Sequence, residues 1–169
     1  LECRYEHDQA VHRAADAMRK YGKAFGEKFG RDYSSLVEGY KLEDAEIAIV
    51  AMGSICGTTK DAIDEMRAEG KKVGLLKIRC FRPFPAEDIA KALAHVNTIA
   101  VWEKKVSLGA KGALAIGVKE AGYGSGIPVY DYILGLGGRD VRKKDIKHIV
   151  ELAEKGSGDM FYGLREELL

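Results

Sequence analysis

A glycine-rich segment between residues 52 and 60 has residue types that suit phosphate binding. It reads Met-Gly-Ser-Ile-Cys-Gly-Thr-Thr-Lys, follows an apolar run and opens a helical pattern. Backbone amides and the helix dipole favour anions at such a turn. However, the spacing fits neither a GxGxxG nor a Walker-type loop, and no acidic residue closes a second strand as a ribose ligand. The segment predicts either an anion site at Gly53, Ser54, Gly57 and Thr58 or a plain turn capped by Ser54 or Thr58.

Charged side chains follow three further apolar runs, at positions where they could bind a ligand or a partner. Arg79 and Arg82 belong to a stiff loop with two prolines and two phenylalanines, whereas Glu103-Lys104 and Arg139 follow later runs. Open α/β sheets bind ligands at the carboxyl ends of their strands. These residues could equally pair with charges of another domain or stabilise their own loops. The interface candidates are Arg79, Arg82, Phe84, Glu103, Lys104 and Arg139.

The histidines and cysteines form no recognisable catalytic or metal-binding pattern. His7 and His12 are five residues apart, whereas ligands on one helix face stand three or four apart. Cys3, Cys56 and Cys80 lack the paired spacing of a disulfide scaffold, a zinc ribbon or an iron–sulfur cluster. We therefore predict no catalytic residue and no metal ligand in this chain, and a reducing, cytoplasmic location.

Apolar runs that alternate with helical patterns predict the elements that position these residues. The predicted strands are residues 36–40, 46–51, 73–78, 98–102 and 127–133, and the predicted helices between and after them are 59–69, 86–94, 109–121 and 144–154. Such alternation is typical of βαβ units around a parallel sheet, so residues 35–169 are predicted to form one α/β domain. An amphipathic helix and linker, residues 1–34, precede it. The apolar stripe of that helix could cover its own domain or a missing partner.

Composition limits the classes of partner. The 169 residues carry a net charge of +1, so electrostatic attraction to nucleic acid or an anionic membrane is weak. No apolar run approaches the roughly 20 residues of a membrane helix. We predict no nucleic-acid partner and no membrane partner. The chain begins at Leu1 rather than Met, which suggests a piece of a longer protein.

Several segments of the chain occur in a characteristic order. They are Gly39-Tyr40, Met52-Gly53-Ser54, Val73–Arg79, Phe81–Pro85 and Gly135–Val141. Each segment alone is weak, but the ordered set with its spacing is specific. Together they resemble the alpha subunits of the 2-oxoacid:ferredoxin oxidoreductase family, in particular the C-terminal part of the pyruvate (pyruvate synthase) members.

The resemblance implies a fold and a role. The expected fold is similar to the transketolase C-terminal domain, a three-layer α/β/α arrangement around a mostly parallel five-stranded sheet, with an added N-terminal helix. The holoenzyme is expected to convert pyruvate, coenzyme A and oxidised ferredoxin to acetyl-CoA, CO2 and reduced ferredoxin, or the reverse, with thiamine diphosphate, Mg2+ and [4Fe-4S] clusters. Those cofactors are expected on the preceding thiamine-activating domain and on other subunits, which makes this chain a non-catalytic interface domain that is inactive alone.

One departure and two rival functions remain. Relatives tend to show Asp-Arg where this chain has Glu103-Lys104, and lysine lacks the bidentate fork of arginine. The first rival is a module that binds coenzyme A or a phosphorylated effector, in a related 2-oxoisovalerate oxidoreductase. The second is an independent nucleotide-dependent enzyme, which the missing fingerprints disfavour.

Overall fold

A computed structural model describes residues 1–158 and 160–169. Within these described residues, five main helices and six strands are formed, and most of them alternate as the apolar periodicity predicts. Their bounds are α1 Glu2–Phe29, β1 Val37–Tyr40, β2 Ile47–Met52, α2 Ile55–Ala68, β3 Val73–Ile78, α3 Ala86–Leu93, β4 Thr98–Glu103, α4 Ala113–Ala121, β5 Val129–Ile133, α5 Lys143–Glu154 and β6 Met160–Phe161.

The strands form one sheet in the order β1-β3-β2-β4-β5-β6. β1 is antiparallel to β3, and the other pairings are parallel. The prediction of a mostly parallel five-stranded sheet with an edge strand at residues 36–40 is confirmed. The two-residue β6 adds a sixth strand that the sequence analysis did not predict, because a run of two residues carries no periodicity.

Helices cover both faces of the sheet and bury a core on each side, which makes the predicted three-layer arrangement. On one face, Ile63 and Met66 of α2 and Ile149 of α5 pack against Trp102 and Tyr132. On the other face, Ile89 of α3 and Leu114 of α4 pack against the opposite sides of β2, β3 and β4. Both faces of the central strands are therefore apolar, as near-continuous apolar runs predict.

Helix α4 begins at Ala113 rather than at the predicted Gly109, so that boundary was wrong. Gly109 has a φ of +80°, in the left-handed region that a continuing helix excludes. The amide of Ala110 donates to Ser107 O at 2.7 Å and closes a turn instead. Residues 104–112 therefore form a loop at the end of β4.

The long helix α1 contacts its own domain through residues near its middle, and none of its residues is buried. Arg19 donates to Asp88 Oδ2 of α3 at 2.6 Å, and Met18 Sδ lies 3.5 Å from Cys80 Sγ. The following linker returns along the helix, where Tyr33 N donates to Gly22 O at 3.4 Å. Most of the apolar stripe on α1 remains exposed. Across residues 1–158 and 160–169, no helix is both long and apolar enough to cross a membrane.

Candidate functional site

The topology places a cleft where β2 and β4 lie side by side in the sheet. The chain leaves β2 toward β3 on one side and leaves β4 toward β5 on the other. Open α/β sheets bind ligands at such a reversal of strand order. A cleft of about 420 Å³ lies there, and it is lined by Met52, Gly53, Ser54, Ile55, Phe81, Glu103, Lys104, Lys105, Ala113 and Leu114.

The glycine-rich turn contributes only part of its predicted anion site to this cleft. Gly53 and Ser54 line it, whereas Gly57 and Thr58 lie further along α2, outside it. The amide of Cys56 donates to Gly53 O at 3.3 Å, and the amide of Gly57 donates to Ser54 O at 3.1 Å. Because local carbonyls engage these two amides, the turn resembles a plain helix start more than a phosphate cradle. Ser54 holds the N-cap position without a side-chain cap.

Glu103, at the end of β4, caps the N-terminus of α4. Its side chain is only 8% exposed. Its carboxylate accepts from the amide of Leu114 at 2.9 Å and from the amide of Ala115 at 3.0 Å. Burial raises the pKa of Glu103, and Asp131 adds to this, while the amide hydrogen bonds oppose it. Glu103 was predicted as an interface residue, but its carboxylate faces backbone amides of its own domain.

A second buried carboxylate supports the same helix end, and the sequence analysis missed it. Asp131 of β5 is 2% exposed, and its Oδ2 accepts from the amide of Gly112 at 2.7 Å. A Cβ at Gly112 would lie 2.1 Å from Glu103 Oε1, so the close approach requires glycine. A lone aspartate within the apolar run Val-Tyr-Asp-Tyr-Ile was the available signal, since a buried carboxylate must find donors.

Arg79 lies away from the cleft, in an ion-pair cluster around Glu38 of β1. Arg79 donates to Glu38 Oε2 at 2.9 Å, and its guanidinium stacks on the Tyr33 ring at 5.0 Å. Lys60 donates to Glu38 Oε1 at 2.7 Å, and Lys77 Nζ lies 3.7 Å from Glu38 Oε2. The hydrogen bond from Lys60 is the main cause that holds the pKa of Glu38 below its usual value. The structure therefore gives Arg79 an internal partner.

Arg82 and Phe84 stabilise the loop after β3. The Arg82 guanidinium stacks 4.2 Å from the centroid of Phe81, and it donates to Phe81 O at 2.8 Å. Phe84 meets Phe81 edge-on, with centroids 6.1 Å apart. It packs against Gly117 of α4 so closely that a Cβ there would lie 2.6 Å from the ring. Arg82 remains exposed at the edge, whereas Phe84 is half-buried between elements.

Lys104 and Arg139 are exposed beyond the ends of β4 and β5. Lys104 extends past Gly135, and Arg139 donates to Gly163 O at 2.6 Å. Lys105, which the sequence analysis did not single out, is also exposed and lines the cleft. The structure thus brings Ser54, Glu103 and Lys104 together, while Arg79 belongs to a different cluster.

The described part of the chain holds no group of three or more His, Cys, Asp or Glu side chains arranged to bind a metal ion. The three cysteines are free thiols, with Cys56 and Cys80 buried and Cys3 exposed. Burial raises the pKa of the Cys56 thiol, which makes it a poor nucleophile.

Residues 45–146 match the family model for pyruvate:ferredoxin oxidoreductase core domain II. Pyruvate synthase subunit PorA of Methanocaldococcus jannaschii is 46% identical over 98% of this chain and 43% of its own length. Ketoisovalerate oxidoreductase subunit VorA of Pyrococcus horikoshii is 44% identical over 91% of this chain and 40% of its own length. The chain therefore spans less than half the length of these relatives.

Solved structures agree with these matches. A 2-oxoglutarate:ferredoxin oxidoreductase from Magnetococcus marinus, with 2-oxoglutarate, coenzyme A and succinyl-CoA bound, matches with a TM-score of 0.57 at 25% identity, over 71% of this chain and 20% of that one. A split-gene transketolase matches with a TM-score of 0.57 at 19% identity, over 70% and 41% of the two chains, which shows a shared fold. The resemblance given by the ordered segments and the transketolase-like fold are both confirmed. The chain belongs to the pyruvate:ferredoxin oxidoreductase family, of which it carries core domain II.

Proposed function

We propose that this chain is a non-catalytic structural and interface domain of a 2-oxoacid:ferredoxin oxidoreductase alpha subunit. Residues 35–169 would form the transketolase C-terminal-like domain, and residues 1–34 the helical arm and linker. Its role is to complete the assembly around a thiamine site that lies on the preceding domain. The whole enzyme would act on pyruvate, coenzyme A and ferredoxin in the cytoplasm, where the three free thiols stay reduced.

One observation carries the proposal. Glu103 is a buried carboxylate at the carboxyl end of β4, a position where such folds commonly place catalytic groups, and Asp131 is a second buried carboxylate in the middle of β5. Both instead accept hydrogen bonds from backbone amides at the start of α4. The Glu103 carboxylate is engaged by two backbone amides and Asp131 Oδ2 by one, so donors of the domain itself already occupy these oxygens. These groups therefore support the domain rather than a reaction.

The proposal assigns the cofactors to the rest of the enzyme. Thiamine diphosphate with Mg2+ would activate the 2-oxo acid on the preceding domain, and [4Fe-4S] clusters on other subunits would pass electrons to ferredoxin. Pyruvate is the proposed substrate because a pyruvate synthase subunit aligns with nearly the whole chain. The similarity to a ketoisovalerate oxidoreductase subunit makes 2-oxoisovalerate the alternative substrate.

Pyruvate-dependent dye reduction tests the proposal. Activity would be measured for this chain alone, for the remaining subunits and domains without it, and for the two combined. We expect turnover only from the combination, whereas thiamine diphosphate binding should persist without this chain. Turnover by this chain alone would refute a non-catalytic role.

Calorimetric titration with coenzyme A discriminates the rival function. The engaged amides of Cys56 and Gly57 leave the α2 turn with few donors for a phosphate, so we expect no heat at millimolar ligand. Saturable heat that disappears in a Ser54→Asp variant would instead support a coenzyme A module at the cleft. A Glu43→Asp variant is the control, because Glu43 is exposed and lies before β2, away from the cleft.

A further inference from the structure

The carboxyl edge of β5 and β6 exposes a cluster of large apolar side chains. Leu108 is 93% exposed, Leu136 38%, and Phe161 and Leu164 each 50%. They surround two depressions of about 390 and 350 Å³ that share Ile133 and Phe161. We call this region, with its flanking charges Lys104, Lys105 and Arg139, the edge surface. Contiguous exposed apolar area with a polar rim is typical of interaction sites.

Leu108 lies at the tip of a loop that is fixed by hydrogen bonds within the domain. The Ala110 N to Ser107 O bond closes the turn around it. At the end of the loop, Asp131 holds the amide of Gly112, and Glu103 holds the amides that follow. Because the loop is anchored in this way, a partner that buries Leu108 loses little entropy in ordering it.

The three flanking charges are all positive, and among the described residues none of them has a carboxylate partner. Within residues 1–158 and 160–169, neither Lys104 nor Lys105 nor Arg139 forms an ion pair, and the guanidinium of Arg139 bonds only a carbonyl oxygen. The neighbouring Asp140 lies 3.7 Å from Arg142, which offsets its charge. The edge surface therefore presents uncompensated positive charge around an apolar centre.

We propose that the edge surface receives a protein surface that carries carboxylates around a projecting apolar side chain, on another part of the same oxidoreductase. Charge complementarity selects the partner, since carboxylates would compensate the two lysines and Arg139. Apolar burial at Leu108 and Phe161 would provide the centre of the contact, with the charges at its rim. This inference rests on the proposed interface function and adds the chemistry of the partner.

Zero-length cross-linking of the assembled oxidoreductase tests this directly. A carbodiimide joins lysine amines only to carboxylates that touch them. We expect Lys104 or Lys105 to be joined to an Asp or Glu outside this domain, and both amines to be acylated about tenfold more slowly than those of Lys91 and Lys155. The latter two are exposed, form no ion pair among the described residues and lie away from the edge surface.

Matched variants test the apolar centre. Leu108→Asp should reduce the cross-link yield at Lys104 and Lys105 about tenfold, whereas Tyr123→Asp should leave it unchanged. Tyr123 is 94% exposed, so its substitution controls for exposure. Lys104 and Lys105 as reactive as the controls, with no cross-link, would overturn the proposal. Protection that requires added coenzyme A or inorganic phosphate would also overturn it, in favour of a small anionic ligand.

Failure of the proposed function gives a different result. An alpha subunit carrying this chain that does not co-purify with oxidoreductase subunits contradicts the interface role itself. A complex that forms normally, with free lysines at the edge surface, contradicts only the partner assigned to that surface.

Discussion

Two regions of this domain treat their charges in opposite ways. Around β1, Glu38 forms ion pairs with Lys60, Lys77 and Arg79, so these cations have a carboxylate partner within the domain. At the end of β4, Glu103 accepts hydrogen bonds from backbone amides, as does Asp131 in the middle of β5, and Lys104 and Lys105 beside Glu103 remain exposed. In the first region the positive charges are paired with a carboxylate of the same domain, whereas in the second region the exposed lysines have no such pair among the described residues.

The difference separates structural charges from charges available to a partner. An ion pair that is complete within the domain stabilises the fold modestly and attracts nothing. A cation whose neighbouring carboxylate is already hydrogen-bonded to the backbone retains its charge for binding. Position at the carboxyl end of a strand does not by itself distinguish the two cases, because both Arg79 and Lys104 occupy such positions.

The largest expected effect is at Glu103. Glu103→Ala leaves the buried amides of Leu114 and Ala115 without an acceptor, so we expect a loss of about 3 kcal/mol in the free energy of unfolding. Urea denaturation measures it. Glu120→Ala, at an exposed position of the same helix, should cost less than about 0.5 kcal/mol. Equal losses would contradict a capping role for Glu103.

The pH dependence at Glu103 has a defined sign. Burial raises its pKa in the folded state above the ordinary value of 4.5, so its contribution to stability is complete below that value and is lost as pH rises through the folded pKa. Glu103→Gln removes this titration. We therefore expect the variant to gain stability relative to the native chain as pH rises from 4 to 8.

A pair of glycine substitutions should change stability in opposite directions. Gly112→Ala places a Cβ against the Glu103 carboxylate, and such overpacking costs about 1–3 kcal/mol. Gly57→Ala meets nothing within 4 Å in α2, so its higher helix propensity should stabilise by about 1 kcal/mol. Thermal unfolding of both variants checks this. A neutral Gly112→Ala would contradict the close approach at the start of α4.

The ion-pair cluster around Glu38 should contribute less to the free energy of unfolding than Glu103 does, and its contribution should have the opposite pH dependence. Glu38→Gln should cost about 1 kcal/mol at pH 7, because three cations lose their carboxylate. The pKa of Glu38 is lowered in the folded state, so its contribution exists above the ordinary value of 4.5 and is lost as pH falls through the folded pKa. Glu43→Gln, at an exposed position, is the control. A loss that stays the same as pH falls below the ordinary value would contradict the ion-pair account.

Periodicity was sufficient for the first five strands of the sheet, since near-continuous apolar strands and amphipathic helices are local patterns. It was insufficient for the start of α4. That boundary depends on Glu103 and on Asp131, which is 19 residues from the Gly112 amide it holds. The exposed positions of Lys104 and Arg139 were predictable, but the internal partner of Arg79 was not, because Glu38 lies 41 residues away on an antiparallel edge strand. Local signals indicated which charges lie at strand ends, whereas long-range pairing decided which of them remain uncompensated.

The smallest expected effect on stability comes from the exposed lysines of the edge surface. Reversing both charges in Lys104→Glu/Lys105→Glu should change the free energy of unfolding of this chain by less than about 0.5 kcal/mol, since neither lysine forms an ion pair with any described residue. Lys91→Glu/Lys155→Glu is the matched control for net charge. Urea denaturation at low and high salt measures both. A loss above about 1 kcal/mol in the edge variant alone would show that these lysines hold the domain together. A neutral result, combined with weaker association in the assembled enzyme, would mean that their charge acts only at the interface.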